Sequence, residues 1–270
     1  MKLESILKLA VACFLTLALS VVAFGQDQSA GKNQNNQNNS AGKQPKADKS
    51  ADRVLHGDHV VGTTRDEEKQ SRKAADLFKE VMKTPAKGIP QSVFDRAECV
   101  MAFPGVYRSS STAATIGGRG MISCRTSSGW SPPVYLNISG DNVGSQIVPG
   151  PSDLVMLFMS KDIVNSLPNG KFTVGADASA APGPVGQDPG ASAGATTNAQ
   201  ILCYSRGKGQ VAGVALDGVS VEVALDDMRD VYGDNFNPKG IMEGVKVKAP
   251  SKVMAFSETL SRHAPRQARK

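Results

Sequence analysis

Histidine is nearly missing from this 270-residue sequence: His56, His59 and His263 are the only three, and none falls within 66–237, the stretch with the clearest folding pattern. The commonest general base and the commonest zinc ligand are therefore absent from that stretch. A Ser-His-Asp or Cys-His arrangement cannot be assembled there. Gly129-Trp-Ser131-Pro-Pro133 opens like a nucleophile elbow but has proline where the last glycine belongs. Gly117-Gly-Arg-Gly120 lacks both the spacing and the following Lys-Ser or Lys-Thr of a phosphate cradle, so strand crossing is its better use. Asp177, Asp217, Glu222, Asp226 and Asp227 could supply an acid–base pair or hold Ca²⁺, but no EF-hand or repeat spacing orders them. The reading is of a protein that is not an enzyme, with no cofactor and no metal site.

Aromatic residues are scarce as well, at 5% with a single tryptophan. That residue, Trp130, has two readings: an anchor at a membrane interface, or a partly buried core side chain. A net positive charge is missing from the centre of the chain. Of the formal +6, residues 1–25 hold +1, residues 26–65 hold +2 and residues 238–270, with eight basic and two acidic groups, hold +6. The region 66–237 is left with −3, which argues against a nucleic-acid-binding core. Residues 238–270 read as a basic C-terminal tail.

Leu, Ile, Val and aromatic residues are absent from Gln26 to Asp52, a run of Gln, Asn, Ser, Ala, Gly and Lys that cannot build a core. Residues 26–65 read as a disordered spacer on which His56-Gly-Asp-His59 is a solvated pair. Ahead of it, Met1–Lys8 carries two lysines and Leu9–Phe24 is apolar, ending at Ala23-Phe24-Gly25. Sixteen apolar residues are short of the roughly 20 that span a bilayer, so residues 1–25 read as a cleaved signal peptide. Lipidation at Cys13, in the middle of the apolar run, is not expected. Export to the periplasm or beyond allows disulfides. Three cysteines remain: Cys99, which opens a short apolar run, Cys124, which closes another, and Cys203. Either neighbouring strands join Cys99 to Cys124, or all three are buried thiols. Asn-x-Ser occurs at Asn38 and Asn137 and matters only in a host that glycosylates.

Thr64-Arg-Asp-Glu67 fits a capping box. Behind it Ala74, Leu77, Phe78, Val81 and Met82 form the stripe of an amphipathic helix that ends at Thr84-Pro85. The opposite face has Lys69, Arg72, Lys73, Lys79 and Lys83 against Asp76 and Glu80, available to acidic headgroups or simply solvated. A short helix around Val93, Phe94 and Ala97 then leads into short runs separated by glycine. Strands are expected at Cys99–Phe103, Gly120–Cys124, Pro133–Ile138, Val143–Val148, Asp153–Met159, Lys171–Ala178, Ile201–Ser205, Val211–Leu216 and Val219–Val223. Helical turns fit Ser160–Leu167 and Asp226–Tyr232, and Ala180–Asn198 reads as a long exposed loop. The fold class is α+β: a largely antiparallel sheet or partly closed barrel, with an N-terminal amphipathic helix and short peripheral helices.

Three segments in order resemble the SYLF-domain family: Gly129-Trp-Ser-Pro-Pro-Val-Tyr-Leu136, Gly175-Ala-Asp-Ala-Ser-Ala-Ala-Pro-Gly-Pro-Val-Gly186, and Tyr204-Ser-Arg-Gly-Lys-Gly-Gln-Val-Ala-Gly-Val-Ala-Leu-Asp-Gly218. Ile89-Pro90, Phe103-Pro104, Gly117–Gly120, Val143-Gly144 with Gln146, and Tyr232-Gly233 extend the likeness over roughly 66–233. One departure falls at Gly209-Gln210-Val211-Ala212-Gly213, where the family usually has Leu-Phe in place of Gln-Val. The resemblance implies a lipid-binding module, of a kind found in secreted bacterial proteins and in eukaryotic proteins tied to phosphoinositides and cortical actin. The expected partner is an anionic phospholipid surface, met peripherally. Candidate contacts are Lys69, Arg72, Lys79 and Lys83 on the helix, Arg206 and Lys208 on the variant loop, and Arg262, Arg266, Arg269 and Lys270 at the C-terminus. The competing reading is a structural envelope protein that acts through protein–protein contacts.

Overall fold

The computed structural model describes residues 64–83, 88–109, 115–141, 150–186 and 198–264. The leader, nearly all of the spacer with Asn38, His56 and His59, the expected strand at 143–148, residues 187–197 of the expected loop, and Arg266, Arg269 and Lys270 lie outside the described residues.

The apolar run that begins at Cys99 has no polar alternation, which is the pattern of a strand covered on both faces. It forms the middle of β1 (Cys99–Arg108), where residues 99–103 are all buried. On one side β1 pairs with β2 (Ile116–Thr126) and on the other with β5 (Gly150–Phe158), both antiparallel. The sheet continues outward through β4 (Val134–Gly140), β10 (Ser220–Val223) and β6 (Phe172–Thr173) on the β2 side. On the β5 side it continues through β8 (Ile201–Gly207) and β7 (Ala180–Pro182). The resulting order, β6-β10-β4-β2-β1-β5-β8-β7, is a curled, mostly antiparallel half-barrel in which only β7–β8 is parallel. Two short strands, β3 (Gly129–Trp130) and β9 (Gln210–Gly213), pair with β2 and β8.

Glycine 120 shows why the Gly117–Gly120 segment belongs in a strand. A Cβ there would run into the Phe103 ring and the Ala102 carbonyl of β1, so the two strands can approach only across a glycine. Gly183 is constrained in the same way by the Tyr204 ring, which ties the Ala-Pro-Gly-Pro segment to β8.

Two sequence expectations are corrected within the sheet. Lys171–Ala178 yields only the two residues of β6, because Gly175 turns the chain at φ 86° and Asp177 closes the turn: its carboxylate accepts from the Thr173 amide and its own amide donates to the Thr173 carbonyl. Ala180–Pro182, expected in a loop, pairs with β8 instead.

Helix α1 (Arg65–Met82) buries Ala74, Leu77, Phe78 and Val81, with Phe78 edge-on to Phe94 of α2 (Gln91–Arg96) at 4.9 Å. The capping box does not form. The Thr64 hydroxyl donates to the Glu68 carboxylate at 3.2 Å rather than serving a backbone amide, and Glu67 points into the protein, 3% exposed. Shorter helices are α3 (Asp162–Ser166), continued by a 3-10 turn over Leu167–Asn169, and α4 (Leu225–Tyr232).

The reading of 238–270 as a tail is corrected as far as Ala264. Residues 238–263 form α5 (Pro238–Glu243), a 3-10 turn (Ser251–Met254) and α6 (Ala255–His263), and they bury Ile241, Met242, Val253, Phe256 and Leu260. Helix α6 lies on α1 and β3. Buried serines fix it there: Ser257 Oγ donates to the Ser131 carbonyl at 2.7 Å, and Ser71 Oγ of α1 donates to the Val253 carbonyl at 2.6 Å. Trp130 is likewise placed in the core, 8% exposed, with its indole N–H on the Ala264 carbonyl at 3.0 Å. An interfacial anchor needs an exposed ring, and this one is covered by α6.

Cys99 and Cys124 are register partners on β1 and β2 and are joined by a disulfide, while Cys203 is a free, buried thiol whose pKa burial pushes up. A Cys99→Ala/Cys124→Ala variant should lose about 2–4 kcal/mol of unfolding free energy. A urea midpoint and slope equal to wild type would show that the bridge adds nothing.

Candidate functional site

Because the apolar stripe of α1 faces the sheet, its other side is left to solvent. Arg65, Lys69, Arg72, Lys73, Lys79 and the C-cap residue Lys83 lie there among the acidic Asp66, Glu68, Asp76 and Glu80. Six cations against four carboxylates give the helix a modest positive surplus.

The carboxylates link this face to neighbouring elements. Glu68 contacts Arg72 at 3.8 Å and Lys252 of the 251–254 turn at 3.9 Å, and both cations remain more than half exposed. Glu80 contacts Lys83 and, at 3.5 Å, Arg206 of β8; Arg206 also meets Asp153 of β5 at 3.0 Å. The Lys83 hydrogen bond, ahead of its charge and that of Arg206, holds the Glu80 carboxyl below the usual range. Lys79 pairs with Asp76 at 3.1 Å. Lys69 and Lys73 are exposed and make no ion pair among the described residues.

The structure thus brings Lys83 and Arg206 together through Glu80, and Arg72 with Lys252 through Glu68. Lys208 sits exposed at the tip of the β8–β9 hairpin with φ 50°, the only non-glycine residue in that region of backbone space among the described residues. Arg262 belongs to α6, where it meets Glu258 at 3.6 Å. Lys252 was missed by sequence reasoning because its segment read as a tail. The buried sequence Val253–Phe256–Leu260, at helical spacing, was the available signal.

A second charged group was also missed. Arg119 of β2 grips Asp227 of α4 with two nitrogens, Nε at 3.1 Å and Nη2, while the same Nη2 is 3.5 Å from buried Glu67 of α1. Gln70 of α1 donates to the Arg119 carbonyl, and the buried Tyr135 hydroxyl of β4 donates to the Glu67 carbonyl at 3.1 Å. Burial, above all, raises the Glu67 carboxyl and the Tyr135 phenol from their ordinary values. Of the five acidic residues singled out in the sequence, only Asp227 joins this cluster: Asp177 closes the turn after β6, Asp217 lies against Gly175, Asp226 pairs with Arg229, and Glu222 is exposed. Among the described residues no three His, Cys, Asp or Glu side chains converge on a metal position. No helix of the described residues is long and apolar enough to cross a membrane.

Fold and surface together define an α+β half-barrel domain with a one-sided basic helix. Residues 140–263 match the family described as "Ysc84: Las17-binding protein actin regulator". Protein YSC84 of Saccharomyces cerevisiae is 31% identical over 60% of this chain and 35% of its own length. LAS seventeen-binding protein 3 of the same yeast is 29% identical over 65% of this chain and 39% of its own length. The human SH3 domain-containing YSC84-like protein 1 is 26% identical over 65% of this chain and 53% of its own. Over residues 140–263 the chain is similar to the Ysc84 family. It spans between about a third and a half of the length of these relatives, all of them eukaryotic.

Proposed function

We propose that this protein is a non-catalytic binding module that rests the exposed face of α1 on an anionic phospholipid surface. The observation that carries the reading is the division of α1 into a buried apolar stripe and an exposed face of six cations, widened by Lys252 and Arg206. Arg266, Arg269 and Lys270 follow α6 in sequence and add three more cations. Lys and Arg near an anionic leaflet contribute about 1 kcal/mol each. Export through the N-terminal leader is part of the proposal. A bonded Cys99–Cys124 pair supports it, since such bonds persist in oxidising compartments.

Lys69→Gln/Lys73→Gln removes two cations that hold no ion pair among the described residues, so the fold should be undisturbed. In flotation with vesicles of phosphatidylglycerol and phosphatidylcholine at low salt, wild type should bind, and bind less as salt rises. The variant should bind roughly tenfold less or weaker still, with an unchanged melting temperature. Wild type that ignores these vesicles at low salt would remove the lipid reading. The second reading, a protein partner on the same face, then takes its place; it is favoured by relatives whose names record Las17 binding and SH3 domains.

A further inference from the structure

Cations and carboxylates around the start of α1 are unequally matched. Glu67 is 3% exposed, yet its nearest cation, Arg119, is committed to Asp227 through two nitrogens and reaches Glu67 only at 3.5 Å. Asp230, one turn further along α4, adds a second negative charge from the same side, and Asp66 lies beside Glu67 in the helix and shares the pull on Arg119. From β4 the facing group is the Tyr135 hydroxyl, which donates to the Glu67 backbone carbonyl and not to its carboxylate; the carboxylate has a hydrogen bond from its own backbone amide, which opposes but does not outweigh the effect of burial. The cation from the 251–254 turn, Lys252, is taken by Glu68. A buried carboxylate with half a counterion and two carboxylate neighbours favours its protonated form.

We infer that the contact of α1 with β2 and α4 is an acid-tightened latch, in which Glu67 takes up a proton as pH falls and the first turns of α1 dock more firmly. Protonation relieves repulsion from Asp227 and Asp230 and leaves Arg119 wholly to Asp227. The direction follows from the raised carboxyl. A group that binds its proton more tightly when folded adds stability that is complete below its unfolded value, and this is lost as pH rises through its folded value. The window therefore lies upward from the ordinary glutamate value of 4.5. The same helix carries the basic face, so acidity would set how firmly that face is held to the half-barrel. The latch itself does not depend on the lipid reading.

Hydrogen exchange of the full chain tests it, with protection factors for the amides of residues 68–75 corrected for intrinsic rates between pH 7.5 and pH 4. Wild-type protection should rise on acidification, by about tenfold for each unit by which the Glu67 carboxyl is raised. Glu67→Gln should hold the high level across the whole range. Asp227→Asn should shrink the rise, because one of the repelling charges is gone and Arg119 is freed for Glu67. Wild-type protection that stays flat or falls would overturn the latch, as would a Glu67→Gln chain that keeps the full wild-type dependence. Should Glu67→Gln fail to fold, the carbon chemical shift of the Glu67 carboxyl in the wild-type chain decides: titration above 4.5 supports the latch and titration at or below it overturns it. Vesicle binding enters none of these readouts, so the latch and the lipid reading can fail separately.

Discussion

A chain ended after Met254 should lose its cooperative unfolding transition, whereas a chain ended after Ala264 should melt like wild type. The first truncation removes α6, with Phe256, Leu260 and Ala264 all fully buried, and uncovers the Trp130 ring and the apolar side of α1. It also strips the Ser257 bond from the Ser131 carbonyl and the indole bond from Ala264. Losing one large buried side chain costs about 2–5 kcal/mol, and a whole domain is stable by only about 5–15 kcal/mol. Removing the helix therefore takes most of what holds the domain folded. Phe256→Ala alone should cost about 3–5 kcal/mol in urea unfolding. The second truncation deletes Arg266, Arg269 and Lys270 and leaves every described contact in place. It is the proper way to test those charges on vesicles. A cooperative, wild-type-like melt from the chain ended at Met254 would return α6 to the status of a tail.

The contrast explains what the sequence made legible. Strands centred on unbroken apolar runs, such as those around Met101 and Met156, are readable because burial on both faces leaves little room for polar residues. The stripe of α1 is readable because it repeats at helical spacing over several turns. Residues 238–264 carry as regular a stripe in Val253, Phe256 and Leu260, but Lys239, Lys246, Lys248, Lys252 and Arg262 between them dominate the composition, and those lysines and arginine lie on the solvent side. Reading net charge by segment hid a helix that reading by face would have found. Lys171–Ala178 failed for a different reason: a glycine turn and an aspartate cap are decided by backbone geometry that apolar alternation does not encode. Within the site, each cation of α1 was legible one by one. Its pairing was not, since Arg206–Glu80, Lys252–Glu68 and Arg119–Glu67 join residues from 52 to 184 positions apart. Such contacts follow from the sheet order and have no local signature.

The other large effect should come from Arg125. Its guanidinium is buried at 4% exposure and donates to three backbone carbonyls, Ala97 at 2.8 Å, Ala264 at 3.0 Å and Phe94 at 3.1 Å, while lying 4.5 Å from the centre of the Trp130 ring. Three separate pieces of chain thus end on one planar fork: the last residues of α2, the strand β2 that carries the arginine, and the end of α6. Arg125→Met keeps much of the side-chain volume and leaves the Ala97 and Phe94 carbonyls without this donor, and Ala264 with the indole alone. The expected loss is about 3–5 kcal/mol, the range for removing one partner from a buried charged network. Arg125→Lys retains the charge but not the fork, and cannot reach three carbonyls set around a plane. It should recover less than half of the loss. Hydrogen exchange should show the α6 amides deprotected first in both variants, ahead of β1 and β5, because the Ala264 carbonyl at the end of α6 loses one of its two side-chain donors. If Arg125→Met unfolds within about 1 kcal/mol of wild type, the cost of burying the guanidinium cancels its hydrogen bonds. The serines and the apolar side chains of α6 would then hold the C-terminus by themselves.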